Sequence, residues 1–163
     1  MSAAAPMRLL LADLAATRRF GGALARALRP GDLVALSGEL GVGKSELVRA
    51  VVRSLAGAPL EVPSPTFTLV QRYELPGLVL THADLYRIRD PLELEELGFE
   101  EALFEGALLV EWPERAGSWL SAERLDLTLA FAPEKGEHAR WLTLQGALSW
   151  GERIARLVDE ARL

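Results

Sequence analysis

The alternation of apolar and polar residues divides the first third of the chain into helix, strand, loop and helix. Apolar residues recur at helical spacing from Asp13, a suitable N-cap, to Leu28. The next apolar stretch, LVALS at 33–37, has the length and content of a short buried strand. Residues 45–57, SELVRAVVRSLAG, return to an amphipathic helical pattern with a glycine at the C-cap position.

The remaining pattern predicts two hairpins with a helix and a strand between them. Two apolar runs within residues 63–88 flank a Pro-Gly pair at 76–77, which is typical of a tight turn. The acidic stretch 90–104 predicts a helix, and GALLVEW at 106–112 predicts a buried strand. Alternating residues on both sides of the turn 132–138 predict a second antiparallel hairpin.

A helix over about residues 148–162 closes the chain. Alternating strands and helices followed by hairpins predict an α/β fold, with an open mixed β-sheet covered by helices and antiparallel hairpins in the second half. A chain of 163 residues is long enough for one sizeable core and short for two. We therefore predict a single domain over residues 1–163.

Composition narrows the functional classes. The formal net charge is −5, which argues against strong unaided binding to RNA or DNA. The chain has no cysteine, so disulfides and thiolate metal sites are excluded. The N-terminal residues show no apolar run of signal-peptide type, and no segment approaches the roughly 18 apolar residues of a membrane span. These features predict a cytoplasmic protein with no membrane partner.

The strongest chemical signal is GELGVGKS at residues 38–45, which matches the phosphate-binding pattern G-x-x-x-x-G-K-[ST]. Its glycines let successive backbone N–H groups point at phosphate oxygens, and the helix that follows adds its positive end. Lys44, one of only two lysines among 18 basic residues, supplies charge, and the Ser45 hydroxyl is a hard ligand for Mg²⁺. The motif predicts a P-loop NTPase-like fold and a bound nucleotide. The predicted nucleotide-binding residues here are Gly38, Glu39, Leu40, Gly41, Val42, Gly43, Lys44, Ser45 and Glu46.

A phosphate-binding loop of this kind needs a metal-side carboxylate at the end of another buried strand. Glu111 directly follows four apolar residues, although a solvated glutamate at a strand end is the ordinary alternative. Asp84 in THADLYR is a second candidate and also suits a plain turn. Thr66 follows Pro65 in SPTFT, where it could sense the γ-phosphate or simply begin a rigid strand.

Five segments in this order and at this spacing make the pattern specific: GELGVGKS, VPSPTFTLV, HADLYRI, ELGFEEAL and LLVEWPER. Together they resemble the TsaE (formerly YjeE) family, bacterial P-loop ATPases needed to make threonylcarbamoyladenosine on tRNA. The resemblance runs from about residue 17 to residue 140, which is most of the chain. It implies ATP and Mg²⁺ as cofactors, TsaD-like and TsaB-like proteins as partners, and only indirect contact with tRNA.

The resemblance also implies roles for individual residues. Lys44 and Ser45 would hold phosphates and Mg²⁺, Glu111 would be the second metal-side carboxylate, and hydrolysis would depend on Asp84. The resemblance implies three further site residues. Thr66 would lie in a switch-like segment, Trp112 would belong to the same functional cluster, and Thr17 would lie near the base of the nucleotide. Glu46 departs from the family, which typically has threonine there, and we expect its carboxylate to point away from the α-phosphate.

Three other functions are compatible with a phosphate-binding loop. A GTPase would read guanine through [NT]-K-x-D, but Lys135 in PEKGE is not followed by an aspartate, so guanine specificity is not expected. A small-molecule kinase would need an acceptor pocket and an arginine-bearing lid, for which only YRIRD at 86–90 is available. A non-catalytic nucleotide-binding regulatory module is the alternative from another class.

Overall fold

The computed structural model describes residues 5–162, and within them the chain folds into one seven-stranded β-sheet flanked by helices. The strands are β1 (Met7–Leu11), β2 (Leu33–Ser37), β3 (Val70–Leu75), β4 (Leu78–Asp84), β5 (Ala107–Glu111), β6 (Leu125–Phe131) and β7 (Arg140–Gly146). The α-helices are α1 (Leu14–Ala27), α2 (Lys44–Ala56), α3 (Phe99–Glu105) and α4 (Gly151–Ala161). Short 3-10 helices span Pro91–Leu97, Pro113–Trp119 and Leu148–Trp150.

The sheet is parallel in its centre and antiparallel at both edges. Its strand order is β1-β7-β6-β2-β5-β4-β3. Strands β6, β2, β5 and β4 run parallel, whereas β1, β7 and β3 pair antiparallel with their neighbours. The predicted open mixed sheet is therefore confirmed. The carboxyl ends of parallel strands lie at the same end of a sheet. The last residues of β2, β4 and β5, which are Ser37, Asp84 and Glu111, therefore lie at one end of this sheet.

Alternating side chains of the central strands divide the core between the two faces of the sheet. In β5, Ala107 and Leu109 pack on one side, and Leu108 and Val110 pack on the other. The first face is covered by α1, α2 and α4, and the second by α3 and the 3-10 helices Pro91–Leu97 and Pro113–Trp119. On the first face α1 approaches α2 closely at Gly21, where an added Cβ would collide with Ala50. Burial on both faces holds the parallel strand ends in fixed positions.

Three elements of the structure differ from those that the sequence pattern predicts. Strand β1 was not predicted, because a five-residue edge strand beside β7 carries too few alternations to stand out. The predicted helix 90–104 is wrong as a single element: a 3-10 helix and α3 are separated by Gly98, whose φ is 71°. The C-terminal helix is α4 preceded by a 3-10 turn, so the α-helix begins at Gly151.

The predicted single domain includes residues 1–4 and 163, which lie outside the described residues. Across residues 5–162, none of the helices is both long enough and apolar enough to cross a membrane.

Candidate functional site

The loop between β2 and α2, residues 38–45, owes its shape to backbone conformations that favour glycine. Gly38, Gly41 and Gly43 have φ values of 146°, 80° and 118°. A Cβ on Gly38 would lie 2.6 Å from the carbonyl oxygen of Leu129, so this position excludes side chains on contact grounds as well. Helix α2 begins at Lys44 with no side-chain cap, which leaves its first N–H groups open to an anion. We call residues 38–45 the glycine loop.

Lys44 folds back over the glycine loop. Its ammonium donates to the carbonyl oxygen of Gly38 and lies 3.5 Å from the ring centroid of Trp112. Only 4% of the residue is exposed, and this burial lowers the pKa of the ammonium from its ordinary value. The carboxylates of Glu111, Glu114 and Asp84 oppose that shift. The charge is thus held at the loop by weak local partners.

Glu111 brings a buried carboxylate to Ser45. The Ser45 hydroxyl lies 3.5 Å and 3.4 Å from Oε1 and Oε2 of Glu111, longer than a direct O–H···O bond of about 2.5–3.0 Å. Glu111, at the end of β5, is 2% exposed. Its Oε2 lies 2.6 Å from Nε2 of His82, which is a buried residue of β4. The ring Nδ1 of His82 has no hydrogen-bond partner among the described residues.

The Ser45 hydroxyl and the Glu111 carboxylate offer oxygens of the kind that magnesium prefers. Metal–oxygen distances of about 2.0–2.1 Å place octahedral ligand oxygens about 2.9 Å apart when adjacent and about 4.1 Å apart when opposite. The Ser45–Glu111 separations of 3.5 Å and 3.4 Å are about 0.5 Å longer than the adjacent spacing, so the two side chains would have to approach each other slightly to share one ion. Within residues 5–162, no group of three or more His, Asp or Glu side chains is arranged to hold a metal. A cation here therefore needs phosphate oxygens or water to complete its shell, which is how Mg²⁺ usually binds.

Asp84 faces the glycine loop from the neighbouring strand. It is the register partner of Glu111 in the parallel β4–β5 ladder, so the two carboxylates end adjacent strands. Its Oδ2 accepts from the Thr66 hydroxyl at 3.2 Å, and its Oδ1 accepts from the Tyr86 N–H at 3.0 Å. Thr66 in turn lies 2.8 Å from the Ser64 hydroxyl. The structure therefore brings Thr66 to Asp84, a contact that the sequence did not predict.

Residues 64–69, which we call the anchored segment, form a turn rather than the start of a strand. The Leu69 N–H donates to the Pro65 carbonyl at 2.6 Å, and Leu69 adopts φ 67°, which is rare for a residue with a side chain. Strand β3 begins only at Val70. Phe67 is 80% exposed at the tip of the segment, with the Arg87 guanidinium 4.3 Å from its ring centroid.

The glycine loop and the anchored segment enclose a cleft of about 230 Å³. It is lined by Leu40, Gly41, Gly43, Lys44, Ser45, Glu46, Ser64, Thr66, Asp84, Glu111 and Trp112. We call it the phosphate cleft. Most of the residues singled out in the sequence meet here.

A second cleft of about 500 Å³ lies on the other side of Gly43. It contains Thr17, which is 8% exposed, together with polar side chains from α2 and β7. Arg140 of this cleft donates to the Val42 carbonyl at 2.8 Å and to two carbonyls of the β6–β7 turn. Glu46, which borders both clefts, is paired at 2.5 Å with Arg49 one turn along α2. The separation of Thr17 from the phosphate cleft suits its predicted position near a base.

Sequence reasoning did not single out two polar residues of the site. Arg140 is 98 positions from Val42, and nothing in the sequence links them. His82 belongs to the HADLYR segment, but the sequence pattern predicts no role for it. A signal for it existed, because residues two apart on a strand share a face and His82 precedes Asp84 by two.

The comparisons with known proteins agree on one family. The family model described as "Threonylcarbamoyl adenosine biosynthesis protein TsaE" matches residues 11–142. A relative named "tRNA threonylcarbamoyladenosine biosynthesis protein TsaE" from Streptomyces coelicolor is 38% identical over 142 residues, covering 85% of this chain and 93% of the relative. Relatives of the same name from Bacillus subtilis and Rickettsia felis are 35% and 36% identical, covering 81% and 77% of this chain and 78% and 74% of their own lengths.

A solved structure shares the fold. The crystal structure of Bacillus subtilis YdiB superposes with a TM-score of 0.75 and 25% sequence identity, covering 99% of this chain and 97% of that one. The predicted P-loop NTPase-like fold is confirmed by this likeness together with the mixed sheet. With a matching family model over most of its length and relatives of the same name in several bacteria, the chain belongs to the TsaE family, whose members take part in threonylcarbamoyladenosine biosynthesis on tRNA.

Proposed function

We propose that this protein is a magnesium-dependent ATPase subunit required for threonylcarbamoylation of adenosine 37 in tRNA, and that it acts on or with a TsaD–TsaB-like complex. The observation that carries the proposal is the convergence of one lysine, one serine and two buried carboxylates on a glycine loop at a helix N-terminus. This is the donor set that binds the phosphates and the metal in P-loop NTPases. The cytoplasm, where tRNA is modified, is the proposed location.

The glycine loop binds the phosphates of ATP through its N–H groups and the N-terminus of α2. Lys44 moves from the Gly38 carbonyl to the β- and γ-phosphates, exchanging a neutral acceptor for anionic ones. Ser45 and Glu111 supply the protein oxygens on the metal side. Mg²⁺, when bound, neutralises charge on the phosphate oxygens. Pairing with Arg49 offsets the negative charge of Glu46 beside the loop.

Asp84 is the group proposed to orient the attacking water. Its carboxylate is held from both sides, by the Thr66 hydroxyl and the Tyr86 N–H, so its direction is fixed before ATP binds. The second cleft, with Thr17, receives the nucleoside.

Turnover by the isolated subunit is proposed to be slow. Among the described residues, the side chains lining the phosphate cleft include no arginine. Fast P-loop hydrolysis usually employs an arginine finger worth about 10³–10⁵ in rate, supplied by the same chain or by another. Partner proteins therefore either recognise the nucleotide-bound state of the subunit or complete the site that hydrolyses the nucleotide. With a net charge of −5, the subunit contacts tRNA only indirectly.

The test is ATP turnover and nucleotide affinity for the full chain, alone and with the TsaD–TsaB-like complex. We expect slow phosphate release without an acceptor, and a change in affinity or rate when the complex is present, because a partner that prefers the ATP-bound state tightens ATP binding in return. Vigorous turnover that partners do not affect contradicts the subunit role. Affinity without turnover under any condition favours a regulatory module, and transfer to an added small-molecule acceptor favours a kinase.

A further inference from the structure

The buried histidine beneath the phosphate cleft has no role in the function proposed above. His82 is 1% exposed, and its Nε2 lies 2.6 Å from Oε2 of Glu111. A carboxylate can only accept a hydrogen bond, so the ring nitrogen that faces it carries the hydrogen. The other ring nitrogen, Nδ1, has no partner among the described residues. All of the hydrogen bonding of this ring is directed at Glu111.

The β4–β5 ladder explains why the ring reaches that carboxylate. His82 is the register partner of Leu109, and Glu111 lies two residues further along β5 on the same face. Because the strands are parallel, the His82 side chain sits one step back from the strand ends and meets the Glu111 carboxylate from the interior side. The contact occupies Oε2, and the described hydrogen bonds leave Oε1 with only the long contact to Ser45.

Stability alone does not account for this pair. Burying a carboxylate and an imidazole together costs desolvation energy that their mutual attraction only partly offsets, and apolar residues of similar volume are often as stable or more so. The unpartnered Nδ1 adds to the cost of burial. The pair does fix one oxygen of Glu111 and so orients the carboxylate, whose two oxygens lie 3.5 Å and 3.4 Å from the Ser45 hydroxyl. Histidine ligands of metals are oriented by outer-shell carboxylates, and here the same relation is reversed.

We propose that His82 is a positioning residue that holds the Glu111 carboxylate in its metal-binding orientation. This inference rests on the proposed nucleotide and Mg²⁺ site. Without the Nε2–H donor, Oε2 of Glu111 would keep only its long contact to Ser45, and the buried carboxylate would rotate toward a better donor and lose its orientation to Ser45. Loss of such an outer-shell partner typically lowers metal affinity by about 10–100-fold.

The experiment measures the Mg²⁺ concentration that half-saturates the enhancement of nucleotide binding. The full chain is titrated with MgCl₂ in the presence of mant-AMPPNP, a fluorescent ATP analogue that is not hydrolysed, and the affinity in EDTA is measured separately. His82→Gln keeps an amide N–H at the position of Nε2, His82→Asn is polar but too short, and His82→Leu removes the donor. Thr81→Val alters the neighbouring buried residue of β4, whose side chain points to the other face of the sheet.

We expect His82→Asn and His82→Leu to raise the half-saturating Mg²⁺ concentration by at least about tenfold while leaving the affinity in EDTA unchanged. His82→Gln and Thr81→Val should remain within about threefold of the wild type. The Gln–Asn pair keeps the test decisive if the leucine variant folds poorly, since both amides are polar and differ in reach.

Two results would overturn the inference, and they are distinguishable. If the wild type shows the Mg²⁺ enhancement and His82→Asn and His82→Leu retain its half-saturation point, His82 serves packing alone and the proposed site stands. If the wild type binds mant-AMPPNP with no Mg²⁺ enhancement, or does not bind it, the proposed metal or nucleotide site fails and the inference fails with it.

Discussion

The two walls of the phosphate cleft are built in different ways. The glycine loop is fixed by its backbone: positive φ values at three glycines, a buried Val42 and a bond from Arg140 to the Val42 carbonyl. The anchored segment is fixed by a few side-chain and turn contacts, with Thr66 bonded to Asp84 and Leu69 in a strained conformation. Its tip, Phe67, is largely exposed.

This difference separates two tasks. A wall of rigid backbone N–H groups is suited to binding phosphates, because little reorganisation is needed when the anion arrives. A wall tied by few contacts is suited to changing arrangement with nucleotide state, because few interactions must be broken. The comparison therefore predicts that substitutions in the glycine loop act on affinity, and that substitutions in the anchored segment, or in Asp84 to which it is bonded, act on turnover.

The largest effect is expected at Asp84. Asp84→Asn should lower turnover by about 10²–10⁴-fold, the usual contribution of a positioned base, and leave MgATP affinity within about threefold. Phosphate release and mant-nucleotide titration measure the two quantities. Asp159→Asn on the exposed surface of α4 is the control. A loss of affinity equal to the loss of rate would assign binding to both walls.

Lys44→Ala should act on nucleotide affinity. Loss of a charged donor to phosphate weakens binding by about 1.5–3 kcal/mol, or roughly 10- to 100-fold in affinity. The fold should persist, because the ammonium gains little from its burial. The matched control is Lys135→Ala, the other lysine, which is exposed in the β6–β7 turn. Wild-type affinity in a folded Lys44→Ala protein would remove the glycine loop from phosphate binding.

The rigidity of the glycine loop is tested by Gly38→Ala against Gly136→Ala. Both glycines have similar φ values, 146° and 137°, but a Cβ on Gly38 would press on the Leu129 carbonyl, whereas one on Gly136 meets nothing within 4 Å. Gly38→Ala should therefore lower the free energy of unfolding by about 1–3 kcal/mol more than Gly136→Ala does. Urea unfolding curves provide the measurement. Equal losses would mean that strain in φ, rather than contact with the Leu129 carbonyl, is what restricts position 38 to glycine.

The attachment of the anchored segment is tested by Thr66→Val. Removing one hydrogen bond to Asp84, worth about 0.5–1.5 kcal/mol, should reduce turnover by roughly 2- to 10-fold with little change in affinity. Thr68→Val, exposed in the same segment, is the control. An unchanged rate would show that Asp84 keeps its direction without Thr66, through the Tyr86 N–H alone.

The smallest effect concerns the pH dependence of stability. Because burial lowers the pKa of Lys44 below its ordinary value of 10.5, the unfolded chain binds more protons between the two pKa values. The free energy of unfolding of the wild type should therefore rise relative to Lys44→Met as the pH increases through the lowered pKa toward 10.5. Urea unfolding at pH 7 and pH 10 provides the measurement. A falling difference would mean that the Gly38 and Trp112 contacts outweigh desolvation.

The sequence predicted the glycine loop well because its geometry is local. Positive φ values require glycine, and a strand before and a helix after the loop are visible in the hydrophobic pattern. Asp84 and Glu111 were found as strand-end carboxylates, but their pairing depends on β4 and β5 being neighbours, which periodicity does not specify. The positive φ of Leu69 and the reach of Arg140 arise from tertiary contacts and have no local signature.

The contact between Lys44 and Trp112 makes the phosphate cleft optically readable. The Lys44 ammonium lies over the indole and is proposed to move to the phosphates when ATP binds, so the indole emission should then change without any added label. Three further tryptophans contribute a constant background, and Trp112→Phe supplies the blank. The cleft thus contains its own fluorophore, located at the ammonium that is proposed to move on nucleotide binding.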